Sequence, residues 1–175
     1  MPAEYDFGPP PTQAAAASRI REPVLVPDLS TPAWLDTNAM VYRLAYQDAA
    51  SPRTYANSRW VMPPAALVTV RLRSRLAQES TVGVLAPDDN ARADAILRVE
   101  MLEFSQVFDA PGSSQVLVQL RASVIRGQTL AAQRSFVVRR PAATADAPGA
   151  AAAFSGAADE AVEAVVAWTA GVLVK

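Results

Sequence analysis

Between Ala95 and Arg140 the sequence alternates apolar and polar residues in three runs, broken by Pro111-Gly112 and by Gly127. That pattern constrains the fold more than any other stretch. A two-residue period puts successive side chains on opposite faces of a strand, and short glycine-bearing breaks between such runs specify an antiparallel β-meander. In the middle run Val116, Val118, Leu120, Ala122 and Val124 share one face, while Leu117, Gln119, Arg121 and Ser123 share the other. The sheet therefore has one face to bury and one it can leave wet. The first run contains a phase break. Leu97, Val99 and Met101 keep one parity, then Leu102 and Phe104 are apolar where polar residues are due and Glu103 falls on the buried parity. One extra residue near Met101–Leu102, a β-bulge, restores the phase.

Two stretches have the helical spacing needed to cover that sheet. After Pro63-Pro64, which suits a first turn, Ala65, Val68, Leu72 and Leu76 recur at three- and four-residue intervals. Leu67 and Val70 fall outside the stripe, so this helix is expected to meet neighbours over a wide arc. From about Ala150 to Val172 a second stripe comprises Phe154, Ala158, Ala161, Val165, Trp168 and Val172, with Asp159, Glu160 and Glu163 in its first half. Acidic residues there suit the positive end of the helix dipole. The expected fold is α+β: a mainly antiparallel sheet with a β-meander in the C-terminal half, and two amphipathic helices packed on one face.

The remaining segments are shorter. Tyr5–Phe7 reads as a brief edge strand and residues 9–19 as a loop or linker rich in Pro and Ala. Val24-Leu25-Val26, bracketed by Pro23 and Pro27, suits a sheet edge. Met40–Ala45 and Tyr55–Val61 read as strands, and Thr81–Ala86 as a short extended piece. Pro87-Asp88-Asp89-Asn90 reads as a turn, and residues 141–149 as a small-residue connector. At 175 residues the chain suits one domain, 1–175, with enough length for a proper core.

Composition narrows the function. Cysteine and histidine are both absent, which removes disulfides, thiol catalysis, and the commonest general base and metal ligand. Fifteen of the sixteen basic residues are arginine and the net charge is −1. A phosphate backbone selects a basic face, so no nucleic-acid partner is expected. Arg71, Arg73 and Arg75 radiate around a helix rather than forming one strip, and Arg139-Arg140 end a strand. No apolar run approaches the ~18 residues of a membrane span. The Asp88-Asp89 pair is explained by turn chemistry. Glu100 and Glu103 straddle the bulge and are the one carboxylate pair suited to glycosidase-type chemistry, which would make the chain an envelope glycan hydrolase or transferase. No phosphate loop, Gly-x-Ser-x-Gly or metal spacing occurs; the expectation is no enzyme, no cofactor and no metal. Trp168 fits the core stripe. Trp34 and Trp60 lie in irregular segments near proline, where they either plug the sheet's end or anchor a partner.

Several segments together resemble one family: Val24-Leu25-Val26-Pro27-Asp28-Leu29 with Trp34-Leu35-Asp36; Met40-Val41-Tyr42-Arg43-Leu44; Tyr55-Ala56-Asn57-Ser58-Arg59-Trp60 before Pro63-Pro64; Leu97-Arg98-Val99-Glu100 with Glu103-Phe104-Ser105-Gln106-Val107-Phe108-Asp109; Gln133-Arg134-Ser135-Phe136; and the terminal Ala/Val/Trp helix. The chain is similar over roughly residues 5–172 to the auxiliary lipoproteins of ABC-type transport systems, the family that includes the paraquat-inducible outer-membrane lipoprotein. These motifs are structural patterns, not catalytic signatures. The resemblance implies a non-catalytic domain on the periplasmic face of a Gram-negative outer membrane. It would dock the periplasmic MCE-domain subunit of a lipid-transporting ABC system, with lipid as a further candidate ligand and a ring-shaped homo-oligomer as the expected assembly. Trp34, Leu35, Arg59 and Trp60 are the candidate partner-contact residues. The family's lipidated N-terminal cysteine is missing, as it would be from a chain cut after its signal and anchor. A free-standing periplasmic lipid carrier is the remaining alternative; it needs an apolar cavity between helices and sheet.

Overall fold

A computed structural model describes residues 1–13 and 17–175. Among these residues eight strands form one mixed sheet: β1 (Ala3–Tyr5), β2 (Val24–Leu25), β3 (Ala39–Leu44), β4 (Ala49–Trp60), β5 (Val84–Leu85), β6 (Ala95–Ala110), β7 (Ser113–Arg126) and β8 (Thr129–Pro141). The helices are a single turn α1 (Ala45–Asp48), α2 (Pro64–Gln78) and α3 (Ala147–Leu173). The fold is α+β, as the sequence implies. Among the described residues no helix is long and apolar enough to cross a membrane.

The meander is the frame. β6, β7 and β8 pair antiparallel along nearly their whole length. Gly127, with φ of 61°, takes the left-handed conformation that the two-residue turn between Arg126 and Thr129 requires. The five residues expected on the buried face of β7 are all at most 1% exposed. The bulge is present: Met101 pairs with Leu120 and Glu103 with Gln119, so Leu102 has no partner across the ladder. Beyond it Phe104 returns to the core opposite Val118, and Glu103 turns to the other face.

β6 carries two different neighbours along its other edge, both parallel. β2 pairs with Ala95–Ile96 and β3 with Gln106–Phe108, while Ser30 bridges to Glu100 between them. β4 then pairs antiparallel with β3, and β1 parallel with β4. β2 thus lies between β5 and β6 rather than at an edge. Its two paired residues exclude both flanking prolines, so no ladder N–H is lost. The edge strand expected at Tyr5–Phe7 lies instead at Ala3–Tyr5, and Phe7 leaves it to enter the core. Of residues 9–19, those described have no regular structure, and residues 14–16 of that expected linker lie outside the described residues.

α3 packs on β7 and β8, and α2 packs against α3. The apolar residues of both helices join the sheet's in one core. Phe7, Trp60, Phe104 and Phe154 make an aromatic cluster there, with Trp60 edge-on to Phe7, Phe104 and Phe154. α3 starts at Ala147, inside the stretch read as a connector. Asp146 is its N-cap, accepting from the Gly149 N–H at 2.8 Å, and Pro148 sits in the first turn.

Candidate functional site

The loop between β2 and β3 is fixed from both sides. On the sheet side Met101 N–H donates to the Ser30 carbonyl at 2.8 Å, and the Thr31 hydroxyl donates to the Met101 carbonyl at 3.1 Å. On the helix side Leu29 N–H donates to Thr69 Oγ1 at 3.0 Å, and that hydroxyl donates to the Ala65 carbonyl within α2. The loop leaves at Asn38, whose carbonyl accepts from Trp60 N–H at 2.7 Å. A segment held at so many points presents its exposed side chains at defined positions.

The four candidate contact residues divide into two pairs. Trp34 is 40% exposed, with the Arg43 guanidinium 5.1 Å from its ring centroid, a cation–π distance. Arg59 is exposed and donates through Nε to Glu4 at 2.9 Å, tying β4 to β1. Leu35 and Trp60 are buried at 2% and 1% exposure. Trp60 plugs the sheet's end among the phenylalanines, so neither it nor Leu35 can touch a partner in this conformation. Trp34 and Arg59 both border the 34–39 segment, since Arg59 pairs with Ala39.

Beside this loop, α2 and the two residues before Pro63 turn an unexpected apolar face outward. Val61, Met62 and Val70 are 46%, 36% and 62% exposed. A hollow of about 340 Å³ lies between Leu29, Asp36 and the α2 residues Ala66, Thr69 and Val70. A second, of about 210 Å³, lies on the other side of Met62 and Val70, walled by Phe7, Gly8 and Pro10. The wide contact arc expected of α2 holds for Leu67, which packs against the core, but not for Val70, which no segment of the described chain covers. That off-stripe pair was the signal for this surface.

The N-terminal strap, residues 7–13 among those described, ties the two helices together. Arg71 Nη2 donates to the carbonyls of Phe7 and Gly8 at 3.1 and 2.8 Å, and Ser155 donates to the Phe7 carbonyl at 2.6 Å. Asp159 faces Arg71 at 3.4 Å; burial raises its pKa, against the opposing charges of Arg71 and Arg140. Further along, Glu79, 1% exposed, accepts from Arg19 and Arg75 at 3.1 and 2.9 Å, while Arg75 also holds Glu163. Burial alone would raise the Glu79 pKa, and the two guanidinium hydrogen bonds outweigh it and hold it below the usual carboxylate range.

The carboxylates weighed for glycan chemistry are occupied. Glu100 is ion-paired with Arg121, and Glu103 with Arg43 at 3.4 Å. Both stand on the open face of the sheet, and the Asp88-Asp89 pair forms the turn expected, with Asp89 accepting from Ala86 N–H at 2.7 Å. Among the described residues no group of three or more acidic side chains is placed to hold a metal. The helix–sheet interface where a carrier would need its cavity is filled by Phe104 stacked on Phe154 at 4.2 Å. A buried polar chain lies at the far end of the sheet. Tyr55 donates to Gln106 Oε1 at 2.6 Å, and Gln106 Nε2 donates to Ser114 Oγ at 2.8 Å and to the Asp146 carbonyl at 3.3 Å. Burial, with the charges of Tyr42 and Asp146, pushes the Tyr55 phenol up to about 12.

Residues 5–166 match the model of a family described as the ABC-type transport auxiliary lipoprotein component. No curated protein matches the chain. Among solved structures it is similar to protein XCC0632 from Xanthomonas campestris, at 20% identity over 97% of this chain and 95% of that one, TM-score 0.86. It is also similar to the hypothetical protein CT253 from Chlamydia trachomatis, at 9% identity over 87% and 98% of the two chains, TM-score 0.61. A PelC dodecamer from Paraburkholderia phytofirmans matches at 11% identity over 88% and 89%, TM-score 0.50. At these identities the likeness is one of fold.

Proposed function

This chain belongs to the family of ABC-type transport auxiliary lipoprotein components, and from that membership we propose that it docks the periplasmic MCE-domain subunit of a lipid-transporting ABC system at the outer membrane. The family is described as an auxiliary component of ABC-type transport, which supports a non-catalytic role beside a transporter. The observation that carries the finer reading is the rigidly held loop between β2 and β3. It offers Trp34 to solvent while Leu35 and Trp60 anchor it from beneath. An exposed aromatic on a fixed support is the kind of residue that supplies binding energy in protein interfaces. Arg59 borders the same segment.

A homo-oligomer is part of the proposal. Among the described residues β8 pairs only with β7, so its other edge leaves N–H and C=O groups for a neighbouring chain. The similarity in fold to a protein solved as a dodecamer points the same way. Lipid contact belongs to the assembled system in this reading.

Copurification of the lipidated protein with the MCE-domain subunit from envelope membranes tests the reading. Recovery of the subunit with the wild type, and reduced recovery with Trp34→Ala, is the expected result. Failure of the lipidated wild type to retain the subunit overturns it.

A further inference from the structure

The apolar ridge on α2 has a shape and a charge that specify what can sit on it. Met62 and Val70 stand between two hollows and line both, one walled by the N-terminal strap and one by the 28–36 loop. The rim's accessible charge is negative. Asp6, Asp28 and Asp36 are exposed, whereas the nearby guanidiniums are turned inward. Arg71 is 10% exposed and committed to the carbonyls of Phe7 and Gly8; Arg73 is 24% exposed and donates to the Val26 carbonyl and to Asp28. Asp28 is thereby partly neutralised, while Asp6, among the described residues, accepts from the Gly8 N–H in its own turn.

We propose that this ridge seats an amphipathic segment of another protein, one that lays two rows of apolar side chains into the hollows and carries Lys or Arg along its borders. The inference rests on the docking reading and names the chemistry of the partner. Helix-in-groove recognition works this way, with apolar residues filling grooves and complementary charge at the rim fixing register. An isologous dimer through the same patch would set the three aspartates against their own copies. An anionic bilayer surface is repelled by the same rim.

The probe is a synthetic Leu/Lys amphipathic helix of about 18 residues, roughly five turns, with a Leu/Glu helix of the same apolar pattern as its counterpart. Both are titrated against the purified chain and against Val70→Asp and Asp36→Lys. Val70 is exposed, so its variant keeps the fold, and Asp36→Lys alters charge alone. The Leu/Lys helix is expected to bind, with affinity falling severalfold as salt rises. Val70→Asp weakens it about tenfold or more, about 1.4 kcal/mol, and Asp36→Lys weakens it in the same direction. Equal binding of the two helices, or unchanged binding by Val70→Asp, overturns the inference. So does capture by anionic phosphatidylglycerol vesicles in preference to the peptide, or a self-association that Val70→Asp abolishes. Copurification of the MCE-domain subunit with Val70→Asp separates this claim from the docking reading. Undiminished copurification contradicts the ridge and leaves docking intact. Binding of the Leu/Lys helix by a protein that never retains the subunit supports the ridge and contradicts docking.

Discussion

Phe104 and Phe154 stack with ring centroids 4.2 Å apart and planes 12° from parallel, and the contact depends on Leu102 standing outside the ladder rather than taking a paired place in it. Were Leu102 paired in regular alternation, Phe104 would turn outward and Glu103 would enter the core. The bulge therefore joins the N-terminal half of β6, which supports β2, to the C-terminal half, which supports β3. Both rings are at most 1% exposed. Phe104→Ala is expected to lose about 3–5 kcal/mol, read from urea denaturation. A loss of ordinary surface size, within about 0.5 kcal/mol, would mean the stack is not central to the core.

Deletions test the phase directly. Removing Leu102 leaves Met101, Glu103 and Phe104 in unbroken alternation and keeps every core residue on its face, so the variant should fold. Removing Val99 instead closes the bulge at the expense of turning Glu100 inward, and that variant should fail to fold or lose most of its stability. Circular dichroism melts distinguish the two; equal tolerance would contradict the register.

Glu79 makes acid stability specific. Its folded-state pKa lies below the unfolded carboxyl value of ~4.3. The charged form is therefore favoured by folding, its contribution is present above that value, and it is lost as pH falls through the folded-state pKa. Glu79→Gln should be less stable than the wild type at neutral pH by about 2 kcal/mol, with the gap closing in acid. A gap constant from pH 7 down to about 3 would contradict the assignment.

Tyr55 titrates late for a phenol, near 12, and its hydroxyl satisfies the fully buried Gln106. Tyr55→Phe leaves Gln106 Oε1 without that donor and is expected to cost about 1–3 kcal/mol. Ultraviolet titration of the wild type should show a late-ionising tyrosine that the variant lacks.

Sequence and structure agree where contacts are local. The meander was legible because a two-residue period, Pro111-Gly112 and Gly127 encode it within 46 residues, and the bulge was legible as a phase error. The stripes of α2 and α3 read correctly for the same reason. The first half of β4 did not: Ala49–Thr54 contains Pro52 and lacks alternation, and the strand's register against β3 jumps between Ala39 and Val41. The start of α3 was hidden because Pro148-Gly149 resembles a turn, although Asp146 before Ala-Pro is also a helix-start signal. Parallel pairing of β2 and β3 on β6 depends on partners 60 or more residues away, which periodicity does not encode. For the site, Trp34 and Trp60 looked equivalent beside proline. Only the packing of Phe7, Phe104 and Phe154 around one of them separates a plug from an exposed contact.

The central claim is that this chain is a docking component for an MCE-domain subunit, and direct binding of the two purified proteins tests it. Surface-immobilised chain should bind the periplasmic MCE-domain subunit, with Trp34→Ala and Val70→Asp each slowing or weakening capture while Trp34→Phe retains it. No binding by the wild type, with the chain folded and oligomeric as isolated, would contradict the account.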